Sequence, residues 1–185
     1  MKIALVGYGK MGQTIERLAH LRGHEIVARI DFDSPRDLNQ ADVAIEFTRP
    51  DVVVNNLKWL SEAGIPTVVG TTGWYQHKAM VDEWYQTNQG ALFTASNFSI
   101  GVNLFWEASA YISRLLDAHP QYRTSLHEIH HTQKLDAPSG TAITTAEVVI
   151  QNSSHQEWMH GKSEKSHILS VTHDRIDHVP GTHTL

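Results

Sequence analysis

Apolar residues in the first half of the chain fall in short runs separated by longer amphipathic stretches. Lys2 to Val6 reads "KIALV", a run stopped by Gly7, which suits a strand buried on both faces. The next stretch, Lys10 to Leu21, sets Met11, Ile15, Leu18 and Leu21 at helical spacing and ends before Gly23. The runs "EIVARID", "DVAIEF", "TVVG" and "ALFTAS" predict four more strands, and Asp51 to Glu62 and Gln76 to Gln86 predict helices. Strands alternating with helices of crossover length predict an α/β domain with a Rossmann-like, doubly wound parallel sheet and right-handed crossovers.

The pattern changes after residue 98. Ile100 to Leu116 predicts a long helix with an apolar face, and the alternation in "YRTSLHEIHH" predicts an antiparallel strand. Thr141 to Val149 predicts another helix, and Ser153 to Glu164 is polar and turn-like. "HILSVTHDR" predicts a further strand, and the last residues are "PGTHTL". The expected organisation is a first domain over 1–98 and a second, α+β domain over 99–185. No internal repeat is present.

Composition narrows the partners rather than the fold. A hydrophobic fraction of 41% over 185 residues is ordinary for a globular chain. A formal charge of -5 provides no bulk attraction for nucleic acid or an anionic membrane, so an anion needs a local cluster of positive groups. The absence of cysteine excludes disulfides and thiolate zinc sites and fits a reducing compartment. The opening run is too short for a signal peptide or a membrane span.

Two stretches carry chemistry. In "VGYGKMG", Gly7, Gly9 and Gly12 have the G-x-G-x-x-G spacing between a predicted strand and a predicted helix. The first glycine permits a tight turn, the second lets a pyrophosphate approach the backbone, and the third allows close helix packing, beside the unpaired N–H groups of a helix start. Asp31 follows about 20 residues later, where a carboxylate accepts hydrogen bonds from an adenosine ribose. Phe32, rather than an arginine, comes next, which leans toward NADH; Lys10 and Arg36 leave NADPH open. The turns after the fourth and fifth strands hold Gly70, Thr71 and Thr72, and Ala95, Ser96, Asn97 and Phe98. They lie at strand carboxyl ends, where open parallel sheets bind ligands, or are ordinary turns with Thr and Ser capping helices.

The second stretch is "HEIHHTQKLDAPSGT", His127 to Thr141. It reads as a polar strand, as a metal site on His127, His130 and His131, or as a site for an anionic substrate. No cysteine and no well-placed carboxylate completes a familiar zinc set, so no metal is expected. Adjacent residues on a strand point to opposite faces, so His130 and His131 share a ligand only if the strand ends there or twists. His155, His160, His167, His173, His178 and His183 share no motif and are expected at the surface. Trp59, Trp74, Trp84, Trp106 and Trp158 are expected in packing or interfaces.

"VGYGKMG", "EFTRP", "GTTG", "SNFSIGVN", "HEIHHTQKLDAPSGTA" and "VPGTH", in this order, resemble the bacterial dihydrodipicolinate reductases, also called 4-hydroxy-tetrahydrodipicolinate reductases, of lysine and diaminopimelate biosynthesis. The resemblance implies a cytoplasmic homotetramer that uses NADH or NADPH to reduce a cyclic imine dicarboxylate. It implies catalytic roles for His130, which transfers a proton, and Lys134, which donates one, with His131, Gly140 and Thr141 binding substrate. Cofactor contacts fall on Gly7, Tyr8, Gly9, Lys10, Met11, Gly12 and Asp31, on Gly70 to Thr72, and on Ala95 to Phe98. Family members continue beyond "VPGTH", so the second domain is expected to be incomplete at its C-terminus. The rival readings are a dinucleotide-binding module without catalysis and another two-domain dehydrogenase that shares only the glycine loop.

Overall fold

Four of the five residues of β1 (Lys2–Val6) are buried, because its side chains alternate into apolar layers on both faces of a sheet. In the computed structural model, which describes residues 1–185, Ala4 and Val6 pack with Leu60 and Ile65. Ile3 and Leu5 pack with Ile15 and Ala19. These partners come from α1 (Lys10–Leu21) and from α2 (Val53–Glu62) with the turn after it, so the sheet is covered on both sides. The remaining elements of this part are β2 (Glu25–Ile30), β3 (Val43–Glu46), β4 (Thr67–Val69), α3 (Lys78–Thr87) and β5 (Leu92–Thr94). The five strands run parallel in the order β2-β1-β3-β4-β5. Chain order reverses between β1 and β3, the switch point where loops after the strand ends separate and leave room for a ligand. α3 and the buried Trp74 close the far end, with Val81 and Tyr85 against Leu57 and Val69.

The chain divides into two compact units, Met1–Ser96 and Asn97–Leu185. The second contains α4 (Ile100–Asp117), β6 (Ser125–His130), α5 (Gly140–Gln151), β7 (Glu157–His160), β8 (Ile168–Arg175) and β9 (Thr182–Thr184). Its sheet has the order β7-β8-β6-β9. α5 lies on one face, burying Ala142, Ala146 and Val149 against Leu126, Leu169 and Val171.

Two sequence expectations change here. The strand expected to be antiparallel, β6, pairs with β8 in parallel along its whole length and is antiparallel only to β9. Alternation reports burial on one face and carries no direction; the α5 crossover sets it. The stretch read as turn-like, 153–164, holds β7, whose Trp158 packs on the α5 core while Glu157, Met159 and His160 stay exposed. One covered apolar residue in a four-residue edge strand is too weak a period to recognise. No helix is long and apolar enough to cross a membrane.

Candidate active site

The loop after β1 is shaped by contacts that only glycine allows. Gly7 has a φ of 95°, and a Cβ there would lie 2.1 Å from the Phe47 carbonyl oxygen. A Cβ on Gly12 would lie 2.3 Å from the Gly7 oxygen, so α1 starts hard against the loop that precedes it. Gly9 has open space around its Cβ position, as a site for a bulky phosphate requires. A cavity of about 780 Å³ is lined by Gly7, Tyr8, Gly9, Asp31, Phe32 and Arg36, among others. Lys10 and Met11 stand exposed at the start of α1.

Asp31 follows β2 at the rim of this cavity. Its Oδ1 accepts the Phe32 N–H at 3.0 Å, and the Phe32 ring is 87% exposed, leaving the carboxylate uncovered. Arg36 is drawn the other way, over the Trp59 ring at 5.2 Å.

The loop holding Gly70, Thr71 and Thr72 does not line that cavity but is tied to its wall. Thr71 Oγ1 accepts the Thr48 N–H at 2.7 Å, and the Trp74 indole N–H donates to the Thr71 carbonyl at 2.8 Å. Gly70 leaves room for the Phe47 ring, which a Cβ would meet at 2.0 Å. Below them the fully buried Glu46 accepts from Thr48 Oγ1 and from Asn56. Burial, only partly offset by these bonds, pushes its carboxyl above the usual range. Ala95 and Ser96 follow β5, and Phe98 is half exposed. Asn97 belongs to the second unit, where its Nδ2 donates to Thr141 Oγ1 at 3.4 Å.

In the second unit, α5 begins at Gly140 with Ser139 as its cap. Ser139 Oγ accepts the Ala142 N–H at 3.1 Å, and the first helical bond runs from Ile143 N–H to the Ser139 carbonyl. The N–H groups of Gly140 and Thr141 precede that bond and sit at the positive end of the helix. Strand β6 ends at His130, so His131 starts the following turn, and the two rings escape the opposite-face rule for a continuing strand. His131 Nδ1 is buried without a hydrogen-bond partner. Lys134 Nζ donates to Asp136 at 2.8 and 2.9 Å. Burial pulls the Asp136 carboxyl upward, yet the bonds to Lys134 hold it below its ordinary range. Arg175 fastens this loop, donating to the Asp136 carbonyl at 2.7 Å and to the Lys134 carbonyl at 3.3 Å.

Two residues to which the sequence reading gave no role stand beside His130. Glu128, fully buried, shares its face of β6, with Oε2 3.3 Å from His130 Nδ1 and 3.4 Å from His183 Nε2. Its Oε1 accepts the Ser139 N–H at 3.0 Å. His183, expected at the surface, is instead mostly covered, its ring edge-on to His130 at 5.2 Å. The antiparallel pairing of β9 with β6 puts Glu128 opposite His183; that register was the missing information. Burial, aided by His183, Lys134 and Arg175, outweighs Glu128 and lowers the His130 pKa below its ordinary value. Burial of Glu128 raises its carboxyl, but Ser139 and the two imidazoles more than reverse this and hold it low.

The three histidines of the alternative zinc set do not converge. His127 lies on the other face of the sheet, bonded to Thr172 at 2.8 Å and 3.4 Å from Asp174. Glu128, His130 and His183 do place one ligand atom each within 4.8 Å of one another. Ser139 engages Glu128 and His183, while Glu128 Oε2 and His130 Nδ1 carry no hydrogen bond. His160 and His173, also expected alone at the surface, bond to each other at 2.7 Å. A separate cavity of about 670 Å³ in this unit, near Arg123 and Lys165, includes none of the candidate residues.

Comparison with known proteins gives one family for both units. Residues 1–98 match the family model "Dihydrodipicolinate reductase, N-terminus", and residues 101–185 match "Dihydrodipicolinate reductase, C-terminus". A 4-hydroxy-tetrahydrodipicolinate reductase of Christiangramia forsetii is 42% identical over 189 aligned positions, covering 100% of this chain and 79% of that protein. One from Staphylococcus aureus is 35% identical over 163 positions, covering 81% of this chain and 65% of its own length. Among solved structures, the dipicolinate-bound dihydrodipicolinate reductase of Paenisporosarcina sp. TG-14 shares the fold, with a TM-score of 0.71 at 22% identity over 99% of this chain and 81% of that one. Aspartate semialdehyde dehydrogenase II of Vibrio cholerae is more distant, with a TM-score of 0.53 at 10% identity, covering 98% and 70% of the two chains.

Proposed function

Since this chain belongs to the dihydrodipicolinate reductase family, we propose that it reduces the cyclic imine dicarboxylate 4-hydroxy-tetrahydrodipicolinate to tetrahydrodipicolinate in lysine and diaminopimelate biosynthesis, with a reduced nicotinamide dinucleotide as donor. The observation that carries this reading is the assembly at the end of β6. There a buried imidazole, a lysine and two open helix N–H groups come from one contiguous block.

The first unit fits a dinucleotide. Open space at Gly9 and the N-terminus of α1 suit the pyrophosphate, and Asp31 suits the adenosine ribose. The cofactor supplies hydride to a conjugated carbon of the ring. NADH is the better fit, because a 2′-phosphate would meet the Asp31 carboxylate and Arg36 is held over Trp59.

The second unit fits the dicarboxylate. Gly140 and Thr141 N–H groups at the helix start hold one carboxylate, and Lys134 adds a full charge that is exchanged from Asp136 to the ligand. His131, with its buried Nδ1 unpaired, has hydrogen-bonding capacity to spare for the substrate. As electron density moves to the imine nitrogen, a neighbouring ring carbon must gain a proton. His130 supplies it, assisted by Lys134. Burial keeps His130 largely neutral in the free protein, and an arriving dianion favours its charged, donating form. The same family reading extends to a cytoplasmic homotetramer.

The test is turnover of freshly generated 4-hydroxy-tetrahydrodipicolinate. Stoichiometric NADH oxidation with tetrahydrodipicolinate as product supports the proposal. Retained NADH binding without turnover points to a binding module, and turnover only with another imine or keto acid to a different dehydrogenase. Dipicolinate, the ligand of the Paenisporosarcina protein, is expected to inhibit competitively with the imine substrate.

A further inference from the structure

The reading of His130 as proton donor leaves unexplained why a carboxylate is buried directly behind it. Resting on that reading, we propose that Glu128 is a positioning residue that holds His130 with Nδ1 protonated and Nε2 turned to the substrate, and that ties this imidazole to the carboxylate-binding turn.

Glu128 and His130 are two residues apart on β6 and therefore share a face, with Leu126 as their fully buried neighbour. A charged side chain at 0% exposure in such a layer costs stability relative to an apolar residue, unless its partners need it. Its partners are specific. One oxygen receives the Ser139 N–H at 3.0 Å, which fixes the cap of α5 and with it Gly140 and Thr141. The other oxygen lies 3.3 Å from His130 Nδ1. Both atoms are buried and neither has a hydrogen-bond partner, so the approach is a charge contact, and the same carboxylate oxygen also lies 3.4 Å from His183 Nε2. His130 Nε2, on the far side of the ring, faces Gly181, where a Cβ would come within 3.0 Å. The lack of a side chain at Gly181 thus spares this nitrogen a close contact.

Among the groups acting on His130, Arg175 of β8, His183 of β9 and Lys134 of the following turn are basic and Glu128 is the anion, while the Asp136 carboxylate is paired with Lys134. After Nε2 gives up its proton, the neutral ring retains the Nδ1 proton, the form a carboxylate at Nδ1 favours. One side chain therefore sets both the donor atom and the position of the anion cradle.

The experiment compares wild type with Glu128→Gln and Glu128→Asp, using ¹⁵N-histidine NMR and steady-state kinetics. Wild-type neutral His130 is expected to carry its proton on Nδ1. In Glu128→Gln the amide oxygen still accepts the Ser139 N–H, but loss of the charge lowers the His130 titration midpoint and mixes its tautomers. Turnover falls about 10- to 100-fold, the loss typical when the carboxylate behind a metal-bound histidine is removed, with KM for the dicarboxylate changed less than about threefold. The limb on which kcat declines with rising pH moves to lower pH. Glu128→Asp, which keeps the charge, restores the tautomer and part of the rate. An unchanged tautomer and titration in a folded Glu128→Gln protein, with kcat within about twofold of wild type, overturns the proposal. The NMR readout needs no turnover, so it judges Glu128 even if the substrate assignment fails.

Discussion

Asp31 holds the Phe32 N–H with one carboxylate oxygen, and the proposed ribose contact would use the other. Replacing it with alanine removes a charged acceptor, with an effect of about 1.5–3 kcal/mol for such a hydrogen bond. Asp31→Ala is therefore expected to weaken NADH roughly ten- to a hundredfold while changing NADPH much less, since the 2′-phosphate also loses a repelling neighbour. Fluorescence titration with both nucleotides checks this, and an unaltered preference removes Asp31 from the ribose site. Asp31 was proposed from its spacing to the glycines, which is local information. Glu128 and His183 were not, because they meet only through the pairing of β9 with β6, across 55 or so intervening residues.

At the scale of elements, the start of α5 has two functions in one turn. Ser139 caps the helix through Oγ and braces Glu128 through its N–H, while Gly140 and Thr141 present free donors. Ser139→Ala keeps the backbone bond to Glu128 but loses the cap and the contact with His183 at 3.2 Å. It is expected to lower stability by about 0.5–2 kcal/mol and to raise KM for the dicarboxylate more than it lowers kcat. Thermal unfolding and steady-state kinetics read the two effects separately. The helix itself was legible from "DAPSGTA", with serine before a small-residue run. The direction of β6 was not, because period-two burial is the same for parallel and antiparallel neighbours. α4 reads as an amphipathic helix, yet its fully buried positions are the small Ser109 and Ser113, while Leu104, Ile112 and Leu115 are exposed. Val102, Phe105, Trp106 and Leu116 are partly covered, so apolar side chains lie on both the covered and the open side of this helix.

For the whole molecule, acid stability turns on ion pairs that bind one element to another. Glu16 on α1 is bonded to Arg29 on β2 and to Tyr8, and the Arg29 bond, first, then Tyr8, holds its carboxyl down at about 2. A depressed carboxylate stabilises the fold above its unfolded pKa and loses that contribution as pH falls through the folded value. Stability is thus expected to drop between about pH 4.5 and about 2, and Glu16→Gln to flatten the drop in that window. Urea denaturation across this pH range checks it; parallel curves for both proteins remove Glu16 from the acid transition. The parallel sheet was visible from the order of apolar runs. The pairing of residues far apart in the chain was not.

The central claim is a division of labour, with nucleotide held by the first unit and the dicarboxylate gripped and protonated by the second. His130→Ala and Lys134→Ala test it most directly when turnover and NADH affinity are measured on the same preparations. The account predicts turnover lower by about 10²- to 10⁴-fold, the usual contribution of general acid catalysis, with NADH affinity unchanged within error. Loss of NADH binding in step with turnover, or turnover retained in both variants, contradicts it.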